Sequence, residues 1–395
     1  MPENLRFTPE FRLVAACSWV PVSDRARRQR ETVETLVNSE LNWDEVVSLA
    51  VRHGVVGQFC KVMGARGWTN VPIVAKEQLK SYRMVQTGSA LMQVSELTKI
   101  GRLFAEAGIS LIPLKGVSLS QCLYQDPCTR SSCDLDLLVK PEDVDKAERI
   151  MVQAGYRHAL GFHNMSRKQK HHMISTLHDH GYINDARGVH VELHWRSYLW
   201  TKEQVAALWD TSTSSTWLDI GLMELATEEN ILYLADHGAQ HGWPCLKWLS
   251  DIAMIAENMS EERWHSLISK TQFYDLQRIF CQTVALLEWF YEIEPPTSVK
   301  KFLVRDSVVQ KHSEYAASML LASKDEIASR QKRFIGPRQA LQIKQLKPLT
   351  PLSALLRGII VAHVDFVEFP LPDYLFWLYI PIRPYFWLRR HYLRR

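Results

Sequence analysis

Short runs of alternating apolar and polar residues mark the middle of the chain, from about residue 109 to 200. In the run DLDLLV at 134–139, an extended strand carries Asp134 and Asp136 on one face and leucines on the other. The run VHVELHW at 189–195 alternates in the same way and has Glu192 on its polar face. If these two strands pair, the three carboxylates converge in the arrangement that two-metal phosphoryl chemistry uses.

The segments on either side of this middle part have helical spacing. Residues 41–63 read as two helices that Gly54 separates, and a long helix covers 75–107. After residue 200 a helix begins at Thr227, and two more follow at about 247–257 and 260–293. The patterns predict four consecutive regions: an N-terminal helical region at 1–108, a core of mixed strands and helices at 109–200, a second helical region at 201–323, and a linker with a basic aromatic tail at 324–395.

The sequence of residues 109–200 predicts the order strand, helix, strand, helix and hairpin. A strand at 109–113 and a helix at 117–124 precede the 134–139 strand. A helix then runs from Pro141 to Ala154, because proline and acidic residues suit the first turn of a helix. Residues 171–183 pair with 189–195 as a polar hairpin through a turn at 184–188.

Composition is that of an ordinary globular protein, with 46% hydrophobic and 23% charged residues among 395. The net charge of +4 is too small to indicate nucleic acid as a partner by itself. The seven cysteines form no CxxC pair, which suits reduced thiols better than disulfides or structural zinc. Because we find neither a secretory signal nor an apolar run of about 18 residues, we expect a cytoplasmic location.

A turn and a helix entry precede the first carboxylate strand. In the run Lys115-Gly116-Val117-Ser118, the chain passes from a strand into a helix, where backbone N–H groups can approach a phosphate. An Asp-x-Asp pair alone is more often a solvated strand end than a metal site. The order of the glycine turn, the two aspartates and the later glutamate favours the metal site.

This order resembles the uncharacterised nucleotidyltransferase family of the polymerase-beta-like superfamily, whose hallmark is Gly-[Gly/Ser], a spacer, Asp-x-Asp and a later Asp or Glu. The chain has Gly-Val-Ser at the first element, and its spacer to Asp134 is longer than in the minimal pattern. The resemblance implies an α+β fold, a polymerase-beta-like nucleotidyltransferase domain with a small mixed sheet, flanked by N-terminal and C-terminal helical regions. Four segments carry it: LKGVSL at 114–119, LYQDPCTRSSCDLDLLV at 123–139, VELHW at 191–195 and DHGAQHGWPCLKWLSDIA at 236–253.

The same resemblance implies a Mg²⁺-dependent nucleotidyltransferase and gives the carboxylates distinct roles. Asp134 and Asp136 would bridge two Mg²⁺ ions, one of which also holds the triphosphate of the incoming nucleotide. Glu192 would complete the site of the other ion, where the acceptor hydroxyl is activated. Gly116 and Ser118 would lie in the phosphate-binding turn.

Three basic residues are candidates for binding the nucleotide phosphates. Lys115 and Arg130 match the family pattern, and each either binds a phosphate or balances the acidic residues in a salt bridge. The resemblance also implies that 109–200 is the catalytic core and that the helical domain at 201–323 closes its cleft. Lys247 lies in the second family segment, at 236–253. It either approaches the phosphates or pairs with Asp251, four residues later on one helix face.

Histidines suggest another kind of site. Six of them crowd into residues 171–194, and His237 and His241 stand four apart on a predicted helix. Such spacing can ligate zinc. The pair lacks the glutamate that a zinc protease uses as its base, and no cysteine accompanies the other six. We therefore expect the hairpin histidines to line the substrate cleft or to form local hydrogen bonds.

Three hypotheses about function follow. The first is transfer of a nucleoside monophosphate from an NTP to a hydroxyl of a small molecule, a sugar or a peptide or protein. A long nucleic acid is not expected as the acceptor, because no basic stripe with interleaved aromatics lies near the catalytic strands. The second is a phosphotransferase that moves the γ-phosphate at the same metal site, as a kinase does. The third is a non-catalytic nucleotide-binding protein.

The tail at 370–395, PLPDYLFWLYIPIRPYFWLRRHYLRR, is aromatic and basic. The simpler interpretation is a C-terminal helix whose aromatic residues dock on the body of the protein while its arginines face water. The alternative is a segment that contacts a membrane peripherally or binds an anionic partner.

Overall fold

A computed structural model describes residues 7–21, 23–159, 165–197, 200–304, 306–334, 344–349 and 361–390, and of residues 330–334 the backbone alone. The chain divides into two units, and each collects three separate segments. The helical unit comprises 1–95, 114–133 and 225–348. The sheet unit comprises 96–113, 134–224 and 349–395. Neither unit is a continuous stretch of chain.

The helices are numbered in chain order over the described residues. They are α1 Pro9–Cys17, α2 Arg25–Val37, α3 Trp43–Arg52, α4 Val56–Ala65, α5 Ile73–Glu106, α6 Val117–Tyr124, α7 Val144–Gln153, α8 Arg167–Thr176, α9 Lys202–Thr211, α10 Thr227–His241, α11 Leu246–Ala256, α12 Glu261–Phe273, α13 Gln277–Tyr291, α14 Thr297–Lys300, α15 Ser307–Leu321, α16 Lys324–Phe334, α17 Val364–Glu368 and α18 Tyr379–Leu388. Two 3-10 helices cover Pro141–Asp143 and Asp373–Leu378.

The strands are β1 Ile112–Pro113, β2 Asp134–Leu138, β3 Arg157–His158, β4 Asp179–Asn184, β5 Val189–His194, β6 Thr213–Ser214 and β7 Met223–Glu224. The first five form one sheet in the order β1-β2-β5-β4-β3. β2 pairs with β5 in parallel, and the other neighbours pair antiparallel. The predicted α+β fold with a small mixed sheet is confirmed, as is the pairing of the two carboxylate strands.

Local sequence explains where several helices begin and end. The Asn42 side chain accepts hydrogen bonds from the backbone N–H groups of Asp44 and Glu45, which starts α3. Gly54 then has a positive φ of 67°, and a Cβ at this position would lie 2.8 Å from Ser131 Oγ. The predicted division of residues 41–63 at this glycine is confirmed.

Other predicted boundaries were wrong. Residues 171–176 belong to α8 rather than to a hairpin strand, because Ser166 and Gln169 form a capping box that starts a helix. The predicted single helix at 260–293 is two helices, α12 and α13, and Asp275 between them has a φ of 54°. Part of the predicted linker is helix α16, while its Gly336-Pro337 step lies outside the described residues.

The alternation in β2 and β5 buries one face of each strand. Leu135 and Leu137 are at most 2% exposed, and so are Val191 and Leu193 of β5. Leu138 shares its face with Asp134 and Asp136, yet it is also buried. The carboxylate face of β2 therefore becomes apolar toward the end of the strand.

The C-terminal helices have a small core of their own, built from Val361, Phe366, Leu371 and Tyr379. The Tyr379 hydroxyl accepts a hydrogen bond from the Leu371 backbone N–H and donates one to the Phe369 carbonyl, at 3.0 and 2.8 Å. These two bonds close the turn between α17 and the 3-10 helix. Within the described part of the chain, no helix is long and apolar enough to cross a membrane.

Candidate active site

Three side chains with metal-binding groups meet on the polar face of β2 and β5. Asp136 stands opposite Glu192 in the parallel register, and His194 follows Glu192 by two residues on the same face. His194 Nε2 lies 3.2 Å from Asp136 Oδ1 and 3.5 Å from Glu192 Oε2. One ligand atom of each residue lies within 4.8 Å of the others. These three residues are the carboxylate cluster.

Asp134 shares this face and lies at the edge of the cluster. It begins β2, stands opposite His190 and is half-buried. Asp136, two residues later, is only 1% exposed. The negative charge of Asp134 nevertheless acts on Glu192, because it contributes to raising the pKa of that carboxyl. Asp134 is thus the most accessible of the aspartates on β2, and Asp136 is the buried one.

Burial and neighbouring charges shift the pKa of His194 in opposite directions. Burial lowers the pKa of His194, but hydrogen bonds to Asp136 and Glu192 and the charge of Asp179 raise it to about 10. The hydrogen bond from His194 lowers the pKa of Glu192, yet burial and the charges of Asp136 and Asp134 outweigh it, so that pKa is raised. At neutral pH an imidazolium therefore stands beside the two carboxylates.

The donor set fits a divalent cation. Ligand atoms bound to one Mg²⁺ at about 2.1 Å lie roughly 3 to 4 Å apart. The oxygens of Asp136 and Glu192 are within 4.8 Å of each other, so small side-chain rotations suffice to bring both onto one ion. Carboxylates and water are the ligands that Mg²⁺ prefers. His194 is better suited to hold these carboxylates in place by hydrogen bonding than to bind Mg²⁺ itself.

The helical unit contains a second group of charged side chains, around the buried Asp251 of α11. Arg130 Nε donates hydrogen bonds to both Asp251 oxygens, at 3.0 and 2.8 Å. Burial raises the pKa of Asp251, while the charges of Arg130, Lys247 and Lys115 lower it. The charges of three basic side chains thus act on one buried carboxylate. These four residues are the basic cluster.

Backbone contacts hold the basic cluster in place. Lys247 Nζ donates to the Ser131 carbonyl at 3.3 Å, and Ser131 Oγ donates to the Gly54 carbonyl at 2.8 Å. The Arg130 N–H donates to Ser120 Oγ on α6, at 2.9 Å. The loop that carries Arg130 is therefore anchored to two helices of the helical unit.

The glycine turn has the backbone geometry that only glycine adopts without strain. Gly116 has φ 72° and ψ −134° and stands immediately before α6. Ser118 is half-buried in the first turn of that helix. An eight-residue helix thus starts at the predicted phosphate-binding turn, as the sequence predicts.

The predicted site residues fall into two groups. Asp134, Asp136 and Glu192 lie together in the sheet unit. The second group lies in the helical unit and comprises Lys115, Gly116, Ser118, Arg130 and Lys247. Sequence reasoning did not single out His194, although its place two residues after Glu192 puts both on the same strand face. The assigned roles remain predictions.

A second buried group in the sheet unit consists of Glu148, His158 and His180. Glu148 Oε1 lies 3.2 Å from His158 Nε2 and accepts a hydrogen bond from the Tyr182 hydroxyl at 3.1 Å. Its Oε2 accepts one from Lys170 Nζ at 3.1 Å. The His158 ring, the Tyr182 hydroxyl and the Lys170 ammonium group therefore already surround the Glu148 carboxylate. We interpret the group as a hydrogen-bond centre that joins α7, α8, β3 and β4.

Glu148 should make the free energy of unfolding change with pH in the acid range. Burial raises the pKa of Glu148, but contact with His180 and the charge of Lys170 lower it to about 2. A folded-state pKa below the unfolded value stabilises the protein above about pH 4.5, and this contribution disappears as the pH falls toward 2. Between about pH 4.5 and 2, we expect the free energy of unfolding of wild type to fall by about 2 to 3 kcal/mol more than that of Glu148→Gln.

Urea unfolding of both proteins between pH 2 and 6 measures this difference. Asp145→Asn is the matched control, because Asp145 also contacts Lys170, at 3.3 Å, but is 56% exposed. The control should keep the pH dependence of wild type. Parallel curves for wild type and Glu148→Gln would contradict the assignment.

Two other features share no residue with these clusters. His237 and His241 pack against the Trp248 ring, at 4.8 and 5.4 Å between centroids, and belong to neither group of metal-capable side chains among the described residues. A cavity of about 480 Å³ in the helical unit is lined by aromatic residues and arginines, among them Trp19, Arg28 and Phe290. It contains none of the predicted site residues.

Comparison with known proteins bears on the whole central part of the chain. No curated protein and no solved structure matches it with significant similarity. A family model described as uncharacterised nucleotidyltransferase matches residues 39–292, well over half of the chain. The match includes both carboxylate strands and all the residues of the basic cluster. The chain therefore belongs to the uncharacterised nucleotidyltransferase family, and its enzyme class is that of the nucleotidyltransferases.

Proposed function

We propose that this protein is a Mg²⁺-dependent nucleotidyltransferase that moves a nucleoside monophosphate from an NTP to a hydroxyl of a small molecule, sugar or peptide. The observation that carries the proposal is the parallel pairing of β2 with β5, with Asp136 opposite Glu192 and Asp134 on the same face. Family membership supports nucleotidyl transfer, and the pairing supports a metal-binding role for these particular carboxylates.

In this proposal Asp134, Asp136 and Glu192 hold Mg²⁺. Held there, Mg²⁺ would supply a positive charge that lowers the pKa of the attacking hydroxyl and stabilises the leaving pyrophosphate. His194 holds the carboxylates of Asp136 and Glu192 in position through its hydrogen bonds.

The basic cluster is proposed to bind the phosphates of the nucleotide. Lys115 and Lys247, whose charges both act on Asp251, serve as point charges for the triphosphate. The Arg130 guanidinium is already bonded to Asp251 through Nε, so its contribution is to position the cluster as well as to supply charge. Gly116 and Ser118 present backbone N–H groups at the start of α6.

The test is a transfer assay with each NTP labelled in turn at the α- or the γ-phosphate. The acceptors are pools of small hydroxyl compounds, sugars and peptides, with Mg²⁺ and with EDTA. We expect Mg²⁺-dependent attachment of α-label to an acceptor, and its loss in Asp134→Ala. Transfer of γ-label would establish a phosphotransferase instead. NTP binding without transfer of either label to any pool would favour the non-catalytic binding protein.

A further inference from the structure

The outward face of the last helix, α18, is apolar over its whole length. Successive helical residues are about 100° apart, so the apolar positions on this face form one arc of roughly 160°. Tyr385 is 58% exposed, Ile380 56% and Leu388 47%. The arc consists of Ile380, Pro381, Pro384, Tyr385, Trp387 and Leu388, all of them exposed. No polar residue of α18 falls within it.

The opposite face of α18 is already occupied by the sheet unit. Tyr379 and Phe386 are at most 3% exposed, and Tyr379 belongs to the small C-terminal core. A helix that is apolar all round is normally buried on all sides. Here only one side is covered. The preceding 3-10 helix extends the outward surface with Tyr374 and Trp377, which are 75% and 61% exposed.

The docked-helix interpretation holds for only part of α18, because Tyr379 and Phe386 pack inward while Tyr385 and Trp387 stay exposed. That interpretation also expects the arginines to face water. The arginines beside the arc are instead held by acidic side chains. Arg390 lies 2.5 Å from Asp365 Oδ1 and 3.3 Å from Glu368 Oε2. Arg383 lies 3.4 Å from Asp365, which is fully buried. These ion pairs fix the rotation of α18 and so keep its apolar arc outward.

Basic residues flank the arc on both sides. Arg383 and Arg390 lie along one edge, and Arg389 lies along the other. The sequence from 361 to 395 contains five arginines and three acidic residues, Asp365, Glu368 and Asp373, so a positive charge is left after the ion pairs are counted. Tryptophan and tyrosine prefer the headgroup level of a bilayer, and arginine is attracted by anionic lipid. A second copy of the same surface would instead bring like charges together.

We propose that the outward face of α18 and the 3-10 helix before it bind the surface of an anionic phospholipid bilayer. The axis of α18 lies along the membrane plane, with Trp377, Tyr385 and Leu388 entering the interface. Arg389 contacts lipid phosphates at the rim. The protein is thereby held at the membrane through its sheet unit, and the interaction weakens as salt screens the arginines.

Co-sedimentation of the full chain with lipid vesicles tests this proposal. The vesicles are phosphatidylcholine alone or phosphatidylcholine mixed with phosphatidylglycerol. We expect wild type to bind the anionic vesicles more strongly, and less at high salt. The triple change Trp377→Ser, Tyr385→Ser and Leu388→Ser should weaken partitioning by about a thousandfold, because each of the three apolar side chains withdrawn costs about tenfold. Arg389→Gln should weaken it by about fivefold.

The matched control is Met84→Ser with Val85→Ser on α5, where both side chains are more than 70% exposed. This variant should partition like wild type, and circular dichroism should show that all variants fold. Equal partitioning of the triple variant and wild type would overturn the proposal. Failure of wild type to bind either vesicle type would also overturn it. So would a wild-type dimer that binds no vesicles and that the triple change dissociates.

Discussion

Replacing Asp136 with asparagine is expected to reduce nucleotidyl transfer by at least about a thousandfold while the protein still folds. Asp136 is 1% exposed and lies opposite Glu192 across the parallel strand pair. The amide keeps the shape of the carboxylate but removes its charge, so a bound cation loses an anionic ligand. The measurement is the rate of α-label transfer at saturating Mg²⁺ and NTP, with thermal unfolding as the check on folding.

The matched control is Asp185→Asn. Asp185 is a carboxylate of the same unit, in the turn between β4 and β5, where it pairs with Arg157 at 2.7 Å on the surface. Its loss should leave transfer unchanged. A second readout is Mn²⁺ binding measured by electron paramagnetic resonance, which should weaken by about tenfold or more in Asp136→Asn. Activity of Asp136→Asn within about tenfold of wild type would refute its role as a metal ligand.

Arg130→Ala is expected to lower the free energy of unfolding by about 3 to 5 kcal/mol. The Arg130 and Asp251 side chains are 2% and 0% exposed, and Arg130 Nε contacts both carboxylate oxygens. Removing the arginine leaves a buried carboxylate that has lost its closest counter-charge. Chemical denaturation measures the change. Arg157→Ala is the control, because it breaks a solvent-exposed pair and should leave the free energy of unfolding nearly unchanged.

The double variant Arg130→Met with Asp251→Leu separates structure from function. Replacing both partners of a buried pair with apolar residues of similar volume restores most of the lost stability. If Arg130 also helps to bind the nucleotide phosphates, this stable variant should bind NTP more weakly than wild type. Wild-type NTP affinity in the double variant would show that the pair only stabilises the helical unit. A small stability loss in Arg130→Ala, similar to that of the surface control, would contradict the first expectation.

Short-range patterns predicted the sheet and its acidic face because the signals lie within each strand. Alternation in β2 and β5 indicated which face is buried, and a glycine turn indicated the start of α6. A salt bridge was one of two alternatives for Arg130, but Asp251 was considered only as a partner of Lys247. Arg130 and Asp251 are 121 positions apart in the chain, so no local pattern connects them. A single sequence does not show which of several carboxylates a buried arginine reaches.

Errors arose where a local signal competed with a longer pattern. The histidine-rich residues 171–176 looked like the beginning of a hairpin strand, but the capping box of Ser166 and Gln169 starts a helix there. At the C-terminus, composition alone allowed either orientation of the aromatic residues. The orientation depends on Asp365, a buried carboxylate on α17 that pairs with Arg383 and Arg390 of the tail.

The parallel pairing of β2 and β5 also constrains the order in which the protein acquires its chemistry. The two strands are direct neighbours, yet residues 139–188 lie between them in the chain. Parallel strands need such a crossover, and contacts between distant residues form slowly during folding. During synthesis, Asp134 and Asp136 leave the ribosome well before Glu192 and His194. The carboxylate cluster therefore assembles only after α7, α8 and β4 have been made, and a partly synthesised chain has no complete site.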